Sequence, residues 1–233
     1  MTLSNQTPAA TSYRIKLVNQ RMTEGGGIEQ IKSPAPTDMA ADTMIRYAPH
    51  QIVLQPGVSQ TVRLSVRAPE GLADGEYRSH MVFEAVPPAD LGQNVEAGAK
   101  DKSQISIRLI PVYSISIPVI VRHGNLTFTS AIENLSLASA ATGPELHFNL
   151  TRAGNRSSYG DLVAMFSRGG AKPVEVAHVS GIAVYTPNAL RKVSLRLNPP
   201  KGVTVSGGTL SLSYRAPQAD GGQIIAVKDI AVP

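Results

Sequence analysis

Five histidines, at positions 50, 80, 123, 147 and 178, are the first candidates for metal binding or proton transfer in this chain. None is spaced as HxH or HxxxH, and the chain has no Cys to complete a ligand set, so no metal site is expected. Ser79-His80 and Ser157-Ser158 place hydroxyls where a nucleophile could stand, but neither sits in the GxSxG frame that exposes a serine on a strand-to-helix turn. The glycines at 25–27, 169–170, 207–208 and 221–222 lack the GxxxxGK[ST] or GxGxxG frame that cradles phosphate, and are expected to serve hairpins. Carboxylates are few and dispersed, with no pair poised for acid–base work. The residues therefore point away from an enzyme, and no cofactor is expected.

What the chain has in abundance is material for strands. It has 233 residues, with 42% hydrophobic and 17% charged side chains, 5% aromatics and no Trp. Val, Ile and Leu must build the core, and the length suits one large or two small domains. The net charge of +5 is spread along the chain without interleaved aromatics, so nucleic acid is not an expected partner. No run approaches the ~18 apolar residues of a membrane span, and no membrane insertion is expected. MTLSNQTPAATSYRIK at the start has neither the basic nor the apolar segment of a signal peptide.

The most informative run is QISIRLIPVYSISIPVIVR, residues 104–122. Ile105, Ile107, Leu109, Tyr113, Ile115, Ile117, Val119 and Val121 alternate along it, with Pro111 interrupting the row. A period of two places them on one face of a β-strand. At ~3.3 Å per residue the run would span roughly 60 Å, about three times an ordinary strand. Pro111 and Pro118 lack an amide hydrogen, which puts those stretches on a sheet edge. A long apolar edge is an aggregation hazard unless it pairs with something. Its alternate side chains could fill another protein's pockets while its backbone adds a strand to that protein's sheet. Burial within its own domains is the competing reading, and the pattern leaves both open.

Other strand-like runs surround it. TSYRIKLVNQRM (11–22) alternates; strands are expected around 51–54 and 60–67, joined by Gln55-Pro56-Gly57. A strand follows the turn at 71–75 and stops at Pro87-Pro88, and 89–103 reads as a polar loop. Beyond His123-Gly124-Asn125, strands are expected at 125–129, 145–152, 161–167, 174–178, 181–185, 191–197, 209–215 and 223–231. No convincing amphipathic helix appears. Many short strands 8–12 residues apart predict an all-β chain of two immunoglobulin-like β-sandwich domains, 1–122 and 123–233.

In order and wording these pieces resemble the periplasmic pilus-assembly chaperones of the chaperone–usher pathway. The resemblance rests on LQPGVSQTVRLSVRAPEGLADGEYRSHMVFEAVPP (54–88), a polar loop, and the alternating strand ending in Arg122. In the second half it rests on YRAPQADGGQIIAV (214–227). It implies two domains in a boomerang arrangement, and a chaperone that lends a strand to pilin-like subunits and delivers them to an outer-membrane usher. By the same resemblance Ile105, Ile107, Leu109, Pro111 and Tyr113 would be the donor row, with Ile115 to Arg122 belonging to the core and the hinge. Glu76, Arg122 and Asp220 would form an ionic cluster between domains.

The sequence departs from the family in two places. MTLSNQT resembles the start of the family's second strand, so a first strand and a signal peptide are expected upstream of this chain and the protein is expected in the periplasm. The family anchors the subunit's carboxylate with an Arg on that first strand and a Lys on the long strand. No Lys stands near Ser116–Pro118, so the anchor does not carry over. The same edge offers a route to self-association. An immunoglobulin-like adhesive or structural module of the cell surface is the alternative, weakened by the shortage of aromatics for sugar stacking.

Overall fold

Pro56 with its fixed φ and Gly57 at φ 69 make the tight turn that the sequence announces, closed by the Val58 amide on the Gln55 carbonyl at 3.1 Å. Strands flank it, and strands dominate the computed structural model, which describes residues 1–87, 111–141 and 143–233. Sixteen strands are present among the described residues. They are β1 (Thr2–Ser4), β2 (Thr11–Met22), β3 (Ile28–Ile31), β4 (Ile45–Ala48), β5 (Gln51–Leu54), β6 (Ser59–Thr61), β7 (Arg63–Val66) and β8 (Gly75–Val86), then β9 (Ser114–His123), β10 (Phe128–Ala140), β11 (Gly143–Gly154), β12 (Ser158–Ser167), β13 (Val174–Val184), β14 (Leu190–Arg196), β15 (Gly208–Arg215) and β16 (Ile224–Val232). The helical turns among them are single 3-10 turns of three residues.

The chain divides into two units. The first holds 1–19, 40–71 and 78–121; the second holds 20–39, 72–77 and 122–233. The second thus takes in two segments that precede residue 123 in the chain. The polar loop at 89–103 and the first part of the long run lie outside the described residues.

In the first unit β2 is the organiser. It pairs antiparallel with β5 and with β8; the sheet order is β3-β2-β8-β9, of which β3 and residues 20–22 of β2, 75–77 of β8 and 122–123 of β9 belong to the second unit. Tyr13, Ile15 and Leu17 alternate with exposed Arg14 and Lys16, as a half-buried strand requires. Ile15, Ile52, Leu54, Val62, Met81 and Phe83 form the core, with Leu3, Tyr47 and Leu64 from β1, β4 and β7 packed on it. The expected single strand at 60–67 is two. β6 pairs with β1 and β7 with β4, the chain changing partners at fully buried Val62.

The second unit is a seven-strand sandwich, with sheets β10-β11-β14 and β13-β12-β15-β16. A three-plus-four antiparallel plan is that of an immunoglobulin constant-type domain. Leu146, Phe148, Leu150 and Leu195 of the first sheet meet Leu162, Phe166, Val176, Leu210, Leu212 and Tyr214 of the second. The expectation of 125–129 falls short, because β10 continues to Ala140 through a bulge between Glu133 and Ser136. The two strands expected at 174–178 and 181–185 are one, β13, with register shifts against β12. Gly160 is required where it stands, since a Cβ there would run into the Arg215 carbonyl of the neighbouring strand.

Tyr214 lies fully inside this core, its hydroxyl donating to the Ile182 carbonyl at 2.9 Å. Burial pushes that hydroxyl up to about 12. The folded state therefore binds the phenolic proton more tightly than the unfolded chain does, and stability is full below pH 10 and falls as pH rises from 10 towards 12. Tyr214→Phe is expected to flatten this alkaline decline while losing about 0.5–1.5 kcal/mol at neutral pH for the missing hydrogen bond. Urea unfolding of both proteins at pH 8 and pH 10.5 measures it.

Candidate functional site

An apolar side chain on a sheet edge costs solubility, so where such residues collect they mark a surface that meets something. β9 is the last strand in the order β3-β2-β8-β9, with no further strand beyond it among the described residues. Ahead of it, the Ala85 amide donates to the Tyr113 carbonyl at 3.0 Å, so the chain runs beside β8 from Tyr113 onward. Alternation puts Tyr113, Ile115, Ile117 and Val119 on one face. Val119 packs on the first unit's core, but Ile117, Ile115 and Tyr113 do not: Tyr113 is 73% exposed and Ile115 56%. Pro111 is exposed as well.

This corrects the expectation that Ile115 belongs to the core. The reason lies in β8, whose residues are buried from Gly75 to Phe83 and only half-buried from Glu84 to Val86, beside which this part of the run lies. The sheet continues past the end of its own core. Of the donor row, Pro111 and Tyr113 are thus placed on an exposed edge, and Ile105, Ile107 and Leu109 lie outside the described residues.

The second feature is a carboxylate with no access to water. Glu76 is 0% exposed at the start of β8, in the segment that belongs to the second unit. One oxygen accepts from the Ser157 hydroxyl and the other from Arg122 Nε at 3.2 Å. Its amide donates to the Asn155 carbonyl at 3.0 Å, and its carbonyl accepts from the Thr186 hydroxyl at 3.2 Å. The Thr186 amide in turn donates to Ser157 Oγ at 3.0 Å.

A second buried charge stands near it. Arg152 is 7% exposed, and its guanidinium donates to the carbonyls of Asn188, Gly154, Arg156 and Pro187 at 2.7–3.3 Å. Burial pushes this guanidinium's pKa down, and the charge of Glu76 opposes that. Beside the cluster, Asp74 accepts from the Asn125 amide at 2.8 Å and lies so close to Gly124, at φ 68, that any side chain there would strike it.

Of the ionic trio, Glu76 and Arg122 are therefore joined, and both belong to the second unit. Asp220 is exposed in the 3-10 turn Gln218–Asp220 between β15 and β16, and is not joined to them by an ion pair. Ser157, Arg152 and Thr186 were not legible as partners of Glu76. They lie 76 to 110 residues further along the chain, and no local spacing announces a contact that only the fold makes. Across β11 and β14, His147 Nδ1 lies 3.0 Å from Ser194 Oγ, with Glu145 3.8 Å from Nε2, a cross-strand juxtaposition set by the pairing of His147 with Ser194. No cluster of three or more metal-ligating side chains forms among the described residues.

No family model matches the sequence, and no curated protein matches it. Solved structures similar in form include the Pseudomonas aeruginosa CupB2 chaperone, with TM-score 0.42 and 9% identity over 100% of this chain and 91% of that one. The Salmonella enterica SafA pilin in complex with the SafB chaperone follows at 0.40 and 14%, over 99% and 87%. The E. coli chaperone DraB stands at 0.40 and 15%, over 99% and 88%. At these scores the likeness decides neither fold nor function.

The Glu76–Arg122 pair is lopsided, since the Arg122 side chain is 56% exposed and Glu76 is sealed. Glu76→Gln is expected to cost about 2–4 kcal/mol, because buried Arg152 loses its negative neighbour. Arg122→Gln should cost roughly 1 kcal/mol or less, as an exposed partner's attraction is screened by water. Guanidinium unfolding of the two variants checks the asymmetry, which equal costs would overturn.

Proposed function

We propose that this protein is an assembly chaperone for pilin-like subunits, acting in the periplasm by lending its edge strand to complete a subunit's sheet and passing the subunit to an outer-membrane usher. The observation that carries the reading is the exposed apolar face at Tyr113, Ile115 and Ile117, on an edge strand that continues the alternating run from Ile105. The family resemblance over 54–88 and 104–122 supports it from the sequence side. A subunit lacking one strand offers a groove of unpaired backbone and alternating pockets, which this edge complements in both respects. The donor row is Ile105, Ile107 and Leu109 with Pro111 and Tyr113, extended by Ile115.

The driving force is apolar. Three aliphatic side chains buried at about 1.5–3 kcal/mol each contribute roughly 5–9 kcal/mol before ordering costs. With no Lys near Ser116–Pro118 to hold a subunit carboxylate, apolar fit supplies more of the grip than charge does. The same exposed row makes self-association the competing fate of the free protein.

Ile107→Asp and Leu109→Asp are each expected to abolish co-purification of a coexpressed pilin-like subunit while the free protein keeps its circular dichroism melting curve. Ile115→Asp should weaken co-purification without abolishing it. Undiminished co-purification with both of the first two variants would overturn the donor-strand role.

A further inference from the structure

In β14 and the residue that follows it, positions 191, 193, 195 and 197 point inward, as the burial of Leu195 and Leu197 and the packing of Val193 show. Arg191 therefore enters the space between the two sheets of the second unit from a position where alternation calls for an apolar residue. It bridges them at their open side, where β14 and β13 are the end strands of their sheets, and its Nη1 donates to the Ala183 carbonyl at 3.0 Å. Its Nε is buried without a hydrogen-bond partner. Among the described residues no carboxylate lies within 4 Å of its guanidinium, whereas neighbouring Lys192 is neutralised by Glu24 at 2.8 Å.

This cation, without a contact ion pair, borders a cavity of about 660 Å³, whose walls include Phe148, Leu162, Val179, Ile182 and Val193. The cavity is within the size range of small-molecule sites. Its lining also takes in His147, Asn149, Lys192 and Ser194, which alternation with Phe148 and Val193 places on the outer face of this sheet, and holds no Asp or Glu among the described residues. The hairpin tip at Thr23–Gly27 closes over one side. Gly25 lines the cavity, the Glu24 carbonyl accepts from the Lys192 amide at 2.7 Å, and Gly26, at φ 83, leaves room for the Arg191 guanidinium that a Cβ would displace.

A half-buried guanidinium without a counter-ion lowers its energy by taking an anion, and planar carboxylate is the group its geometry fits best. An apolar wall beside it takes hydrocarbon. We propose that the cavity between β13 and β14 binds a small carboxylate with an aliphatic body, held by Arg191 at its head and by Val179, Ile182 and Val193 along its chain. The site is independent of the edge strand and of the chaperone reading.

Isothermal titration of the full chain with octanoate, octanol and octylamine at pH 7.5 and low salt tests it, with methyl NMR shifts to locate the ligand. Octanoate is expected to bind, shifting the methyls of Val179, Ile182 and Val193, with octanol at least tenfold weaker and octylamine not bound. Arg191→Gln should weaken octanoate at least tenfold and leave octanol unchanged, while Arg191→Lys should keep most of the preference. Methyl NMR spectra of each variant without ligand verify that the sandwich is intact. Absence of shifts at these methyls, equal affinity for octanoate and octanol, or undiminished octanoate binding by folded Arg191→Gln would each overturn the proposal.

Discussion

A carboxylate removed from water must be surrounded by donors or neutralised, and the second unit is arranged around one that is surrounded. Glu76 receives the Ser157 hydroxyl and Arg122, while its own backbone is paired with Asn155 and Thr186. Three separate segments, 74–77, 122–125 and 155–157, are thereby held to the same few ångströms, and the Asp74 and Asn155 side chains repeat the link through the Asn125 backbone. Buried ion pairs are poor sources of net stability, because desolvation offsets attraction. Their value lies in excluding other arrangements: a misplaced chain here leaves Glu76 or Arg152 buried and unpaired. Such a penalty specifies where β8 begins and where β9 ends.

Between those two points the first unit faces the opposite problem. β8 is buried from Gly75 to Phe83, which accounts for its continuous run of sealed residues and for the polar pairing of Ser79 with Asn19 at 2.6 Å inside it. β9, at the end of the sheet order, has no such cover at its start. A sheet that outruns its core leaves backbone groups and side chains unmatched together. In Tyr113, Ile115 and Ile117 these side chains are apolar and the backbone is extended, so one surface offers both hydrophobic area and hydrogen-bonding groups. Natural edges are normally blunted with charge; between Val112 and Val121 no Lys, Arg, Asp or Glu occurs.

Much of this was legible because alternation is a local signal. The strand at 11–22 and the turn at Gln55-Pro56-Gly57 follow from residues that choose their own conformation. Past Thr129 the strand β10 is hidden in the sequence because its apolar row, Phe128 and Ile132 and then Leu135 and Leu137, slips by one residue at the bulge, where Asn134 takes φ 54. Pairing with β11 decides that stretch, and tertiary context overrides propensity there. The same holds for β3, where IEQI gains strand form beside β2. Of the candidate site, the apolar row was visible in the sequence, but which part of it is covered was not, since that depends on where the core of another strand stops.

The two sites share a logic that the sequence pattern reveals only once the faces are known. At Ile115 an apolar residue occupies a position that faces water, and at Arg191 a cation occupies a position that faces the core. Each inverts the pattern set by Ile15, Met81 and Phe83 inside and Arg14 and Lys16 outside. An inversion raises the free energy of the isolated chain, so it persists where binding recovers that cost or where packing cannot remove it. At Ile115 no packing obstacle stands in the way, because a polar residue on an exposed edge would be accommodated without strain. At Arg191 the guanidinium already holds the Ala183 carbonyl, which explains one of its nitrogens and leaves its charge unmatched. The edge and Arg191 thus stand beside buried Glu76 and Arg152 as places where the chain gives up local consistency, but Glu76 is surrounded by donors, whereas the edge keeps apolar area in water and Arg191 keeps a charge without a carboxylate at hand.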